Sequence, residues 1–498
     1  MGVLINLSIL FSSMLCLVFG ISLDNVNLYF LSILMIFLCS VIYCITNIRE
    51  KIVYFLFLVT FFVFLLGSYF IQFLGGGEWW VSFYDGVLEA KFEVGNLEIT
   101  MIALYLALFG LLIGNWFNSK INYKIKIRKR DTVRNYNTID NGIKRVSTIL
   151  YCITYIGAFI NTIYKIVFIS NASYLSYYRE YVGIPIFEQM ASANDIVFYI
   201  YLATMPNKRK SIPYIGTYLL MKILSLLTGA RSNAIVAILI ILFYCYFRQA
   251  NSKKIGVIEI WITKRMIGLG VIILPILVVL LKLISIIRAG QSFNDMSFWE
   301  LFVEFFQTQG GSVHLISYAE LYKEQLPSTN LSYVFGPIIN LLKSNSIIQM
   351  FSDFSVYKSN TLEAAMYGNS LSNTISYLVM PYNFYHGMGM GSCYIAELMV
   401  DFGYIGVFIF NVTLGNILNM YSKIRTGSIL KTTILLLMLE GIFIICRASA
   451  LQWAVIIFKD STILVILTVY VTAYILSKIP SNGRRRNEIK SYSINKFT

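Results

Sequence analysis

The sequence predicts an all-α, polytopic integral membrane protein with about twelve transmembrane helices and a large helical extracytoplasmic loop. Three observations carry this. Of 498 residues, 57% are hydrophobic and 13% charged, with mean hydropathy +0.69. Soluble domains are about one-quarter charged, so an aqueous core cannot hide this much apolar surface. The apolar runs have the length, ~20 residues, that spans a bilayer as a helix. The short alternating segments of a membrane barrel are absent. Lysine and arginine gather in alternate loops, as they do when basic loops stay cytoplasmic.

The spans expected in order are 3–21, 28–46, 52–73, 98–117, 146–169, 193–206, 211–228, 232–248, 266–287, 395–420, 428–446 and 460–477. The first lacks a basic leader and a small-residue cleavage site, so it reads as an uncleaved span rather than a signal peptide. The sixth is short and begins with Asn194 and Asp195. Twelve spans place every basic loop on one side, including Lys120–Arg145, Lys208–Lys210 and the tail with Arg484–Arg486. One span more or fewer would break that alternation. Both termini are then cytoplasmic, and the long segment 288–394 lies outside. The organisation is therefore 1–287, helices one to nine; 288–394, the extracytoplasmic loop; 395–478, helices ten to twelve; and 479–498, a basic cytoplasmic tail.

The net charge of +15 belongs to this topology signal, not to nucleic-acid binding. Seven cysteines without a CxxC pair read as buried thiols, with no disulfide or metal framework. Trp79 and Trp80, followed by Glu89 and Glu93, suit either an aromatic belt or a substrate-facing lip. Arg179 among the tyrosines of Tyr174–Tyr181 suits either a belt or a sugar-binding rim. Within the loop, Phe298, Leu301, Phe302, Phe305 and Phe306 recur at helical spacing. That predicts an amphipathic helix able to lie on the membrane surface. Leu371–Pro381 is apolar but too short to span.

Arginine at the end of a span is costly and usually has a reason. Three occur on the side where few are expected: Arg231, Arg288 and Arg447. Each alone suits snorkelling. Together they suggest a convergent anion site, because guanidinium binds phosphate in a bidentate fork. The two histidines, His314 and His386, both lie in the loop. His386 precedes Gly387, Gly389 and Gly391, which let backbone approach a ligand closely. It is a candidate general base or phosphate ligand. Glu397, at the start of a span, is a candidate base, an arginine-orienting carboxylate, or an acid favoured by the helix dipole, with Asp401 one turn on. Two histidines without neighbouring Cys or Asp ligands predict no metal site. No nucleotide-binding or hydrolase motif is present, so no cofactor is expected.

Thr228-Gly-Ala-Arg231-Ser, the large loop in the C-terminal half, and Gly387-Met-Gly-Met-Gly-Ser-Cys-Tyr-Ile-Ala-Glu397 through Asp401 to Gly406 resemble Wzy-type O-antigen polymerases. The resemblance implies a glycosyltransferase of the GT-C type in the bacterial cytoplasmic (inner) membrane. It would join oligosaccharide repeat units carried on undecaprenyl pyrophosphate, without metal or nucleotide, for O-antigen (lipopolysaccharide) or capsule. It also implies a flippase and a chain-length regulator as partners, beside the lipid bilayer, and no nucleic acid. By similarity to the related O-antigen ligases, Arg231, Arg288 and one of the two histidines become site candidates. Ligation to lipid A, or transport of the lipid-linked unit, are the competing activities.

Overall fold

The computed structural model describes residues 2–75, 94–126, 138–171, 181–229, 231–252, 259–288, 296–327, 332–352, 354–423 and 428–478. Trp79, Trp80, Arg179 and the basic tail lie outside the described residues, and so does the side chain of Arg288. The described residues contain helices and no strand. Among the described residues, eleven helices are long and apolar enough to cross a membrane. An apolar chain in hydrocarbon must satisfy its backbone internally, and the helix does so within one segment.

The bundle begins with α1 (Gly2–Leu23), α2 (Val26–Thr46) and α3 (Ile48–Phe61). α3 continues through one π-helical turn, Phe62–Leu66, into α4 (Gly67–Leu74). Next come α5 (Val94–Lys126), α6 (Thr138–Asn171), α7 (Pro185–Ala203), α8 (Lys208–Leu224), α9 (Arg231–Ser252) and α10 (Lys264–Arg288). The segment 288–394 carries α11 (Phe298–Gln309), α12 (His314–Leu321), α13 (Gly336–Ser344) and α14 (Leu371–Val379). The bundle closes with α15 (Tyr394–Met420), α16 (Ile429–Ile444) and α17 (Asp460–Lys478).

α7 is not among the eleven spans, yet it crosses the bundle. Tyr151 of α6 packs on Phe198 of α7 and hydrogen-bonds Thr217 of α8. Further along α6, Gly157 meets Met190 and Thr162 meets Met221. Advancing α6 thus meets receding α7 and advancing α8, so α7 runs antiparallel to both. An independent check comes from α5 and α15, which run parallel. Gly110 meets Phe408, Gly114 meets Val412, and the Asn419 side chain donates to the Asn115 carbonyl. Parallel packing requires an odd number of crossings between them, which holds only if α7 counts as one.

The α5–α15 seam is built on small residues, which let backbones approach closely where lipid gives no hydrophobic drive to association. A Cβ on Gly114 would stand 2.0 Å from the Val412 carbonyl oxygen. Gly114→Leu is therefore expected to lower the thermal midpoint and the monodisperse yield, at a cost of at least ~1–3 kcal/mol of overpacking. Gly216→Ala, with nothing within 4 Å, is the control expected to behave as wild type.

α11 forms where the helical spacing predicts it, with Ser297 and Glu300 closing a capping box. Leu301 and Phe305 of its apolar stripe are buried against protein, while Phe298 stays exposed. Phe305 packs with Val278 and Leu281 of α10, and Phe306 meets Phe62 in the π-helical turn. Phe306 also lies against Gly67, where a Cβ would be 3.0 Å from its ring. Lys282 of α10 pairs with Glu304 at 2.9 Å. The same stripe of phenylalanines fits lipid or a groove between helices, so periodicity alone could not choose between them. α14 buries Leu371, Ile375 and Val379 in the main core.

Candidate functional site

α10 ends and α15 begins at one end of the bundle. The α8–α9 junction and the 447–459 segment lie at that same end. Arg447 closes a 3-10 turn after α16, and its Nη1 donates to Gln309 Oε1 at 2.9 Å, at the end of α11. Gly391 lies beside the guanidinium, with φ +81°, a left-handed value that favours glycine. The turn is held from below. Ser392 Oγ donates to Glu397 Oε1 at 2.8 Å, and the Ala450 amide donates to Glu397 Oε2 at 2.8 Å. The Met390 amide donates to Ser376 Oγ. Glu397 is fully buried, and its carboxylate ties the glycine turn to the segment after Arg447. Asp401, one turn on, accepts from the Val334 amide and from Ser332, fixing the start of α13.

His314 lies behind this cluster. It is buried, with Nε2 3.4 Å from Ser68 Oγ and Nδ1 3.5 Å from the Tyr69 hydroxyl. Burial pushes its pKa down to about 3. His386 is half-buried on the loop surface, with Nδ1 2.7 Å from the Tyr382 carbonyl and its ring against that of Tyr382. Arg231 opens α9, and its Nη1 donates to the Leu281 carbonyl of α10 at 3.0 Å. The predicted residues therefore fall into separate places. Arg447, Glu397 and the glycine turn are joined, His314 packs against Ser68 and Tyr69 of α4, and Arg231 is held at the α9–α10 contact.

Sequence reasoning missed a polar recess of about 240 Å³ beside Arg231. Asp195, Lys222, Glu440, Lys459, Ser232 and Gln452 are among its walls. Lys222 pairs with Asp195 at 2.7 Å. Tyr199 donates to Glu440 Oε1 at 2.8 Å, and the hydroxyls of Tyr199 and Tyr218 lie 3.1 Å apart. A signal for it existed. Asp195, Lys222 and Glu440 sit inside apolar helices, and such residues mark functional sites by default. In the sequence alone, Asp195 stands out only as a charge at the start of the short sixth span. Among the described residues, no group of three or more His, Cys, Asp or Glu side chains is placed to hold a metal ion.

Fold and site define a polytopic α-helical membrane protein with a hydrophilic recess and an arginine-bearing turn at one end of its bundle. The chain belongs to the O-antigen polysaccharide polymerase Wzy family, which matches residues 4–479. No curated protein and no solved structure matches it.

Proposed function

We propose that this chain is a membrane glycosyltransferase that joins undecaprenyl-pyrophosphate-linked oligosaccharide repeat units into O-antigen or capsular polysaccharide. The reaction takes place at the outer face of the bacterial cytoplasmic membrane, with the basic loops and both termini inside. The observation that carries this reading is Arg447, held by Gln309 against a glycine turn at one end of the bundle. A hydroxyl of the acceptor sugar attacks the anomeric carbon of the donor chain. The bond from that carbon to the pyrophosphate oxygen breaks, and undecaprenyl pyrophosphate leaves with the electron pair. Arg447 stabilises the leaving group where its charge develops, with Arg288 at the end of α10 as the second guanidinium. His386 takes the hydroxyl proton. Its Nδ1 donates to the Tyr382 carbonyl, which leaves Nε2 as the basic nitrogen of the neutral ring. Glu397 and His314, both buried, hold the framework of the site.

Arg447→Ala is expected to lower the rate of chain elongation ~10²–10³-fold, the usual effect of removing one preorganised donor. The assay uses purified protein in nanodiscs with the lipid-linked repeat unit, and reads product length on a gel. Arg447→Ala protein elongating at the wild-type rate would overturn the arginine assignment. Chains appearing on lipid A instead of undecaprenyl pyrophosphate would make the enzyme a ligase. Asp195, Lys222 and Glu440 inside helices are features that a transporter of the lipid-linked unit would also carry. Translocation across a vesicle without bond formation would support that second reading.

A further inference from the structure

We infer that the recess between α7, α8, α9 and α16 is the subsite for the neutral terminal sugar of the acceptor repeat unit. This rests on the polymerase reading above. Three features of the recess point to such a ligand.

The first is charge. Two carboxylates, Asp195 and Glu440, and two ammonium groups, Lys222 and Lys459, stand in the walls, so the lining is formally neutral. A pyrophosphate would meet two anions there. A sugar hydroxyl both donates and accepts, and can therefore satisfy both kinds of wall. The guanidinium of Arg231, which would suit an anion, is directed away to the Leu281 carbonyl.

The second is size. At about 240 Å³ the recess falls just under the ~300–1,000 Å³ of pockets for drug-sized ligands. It accommodates one sugar ring and not a whole repeat unit. The donor's reacting end carries pyrophosphate, so the end that is neutral and must be recognised is the acceptor's.

The third is rigidity. Glu440 is oriented by Tyr199, Tyr199 is hydrogen-bonded to Tyr218, and Tyr218 is stacked on Phe198 with ring centroids 3.9 Å apart. Lys222 is held by Asp195. These are walls whose donors and acceptors are fixed before a ligand arrives, as specificity for hydroxyl groups requires. At the mouth, Asn233, Gln452 and Lys459 are exposed.

The test measures binding of the repeat-unit oligosaccharide, freed of lipid and pyrophosphate, to protein in nanodiscs by calorimetry. Inorganic pyrophosphate is the comparison ligand. Glu440→Gln and Asn233→Trp are each expected to weaken oligosaccharide binding at least tenfold and to raise the KM for acceptor, leaving pyrophosphate binding unchanged. Asn233→Trp narrows an exposed mouth without touching the paired charges, so it keeps the test decisive if Glu440→Gln fails to fold. Oligosaccharide binding unaffected in folded Asn233→Trp protein that still elongates chains overturns the subsite and leaves the polymerase reading intact. Wild-type protein that binds the oligosaccharide through Glu440 but elongates nothing overturns the polymerase reading instead.

Discussion

Replacing Glu397 with alanine is expected to lower the thermal midpoint and chain elongation together. Its carboxylate is fully buried and accepts from Ser392 and from the Ala450 amide. Alanine leaves both donors buried without that acceptor, at a cost of ~1–3 kcal/mol each. The damage is also positional. Ser392 follows Gly391, and Ala450 lies three residues after Arg447, so the clamp sets the distance between the glycine turn and the guanidinium. A misplacement of this kind in a positioning contact costs far more rate than its own bond energy. Glu397→Gln keeps one accepting oxygen and should fall between wild type and alanine in both readouts. The check is a melting curve by intrinsic fluorescence beside the elongation assay. An alanine variant that melts as wild type and yet elongates nothing would assign Glu397 to the chemistry instead.

The helices were legible because each apolar run carries its own length, and a bilayer fixes the length required. α7 was legible less from its own residues than from the alternation of basic loops, which the parallel packing of α5 and α15 now supports. α11 was legible as a helix but not in its setting, since Phe302, Phe305 and Phe306 have the same spacing whether lipid or α10 receives them. The proximity of Glu397 to Arg447 was anticipated only as a carboxylate able to orient an arginine, with no particular arginine named. Its actual link runs through Ala450, whose amide no sequence pattern marks. The recess was not assembled at all. Asp195, Lys222 and Glu440 stand in three different apolar runs, each one charge in a hydrophobic stretch, and only tertiary packing brings them together. The burial of His314 likewise depends on Ser68 and Tyr69, 246 and 245 positions away in sequence.

His314 is expected to make the fold acid-labile, and the sign follows from its burial. Its pKa falls from 6.5 to about 3 because the charged imidazolium would have to leave water. The unfolded chain therefore binds a proton that the folded protein refuses at every pH between these values. Stability is fully present above about pH 6.5 and is lost as pH falls towards about 3, by about 1.4 kcal/mol per unit from this group. The measurement is the thermal midpoint in detergent from pH 7.5 to 5, compared with His314→Gln. Other groups titrate over that range in both proteins, so the difference in slope belongs to position 314. Glutamine should lower the midpoint at neutral pH, where it replaces a packed imidazole between Ser68 and Tyr69, and should flatten the acid slope. His386→Gln, on the half-buried loop surface, should leave that slope in place. Equal slopes for wild type and His314→Gln would mean that the imidazole meets water, and would return His314 to the list of groups able to exchange a proton with substrate.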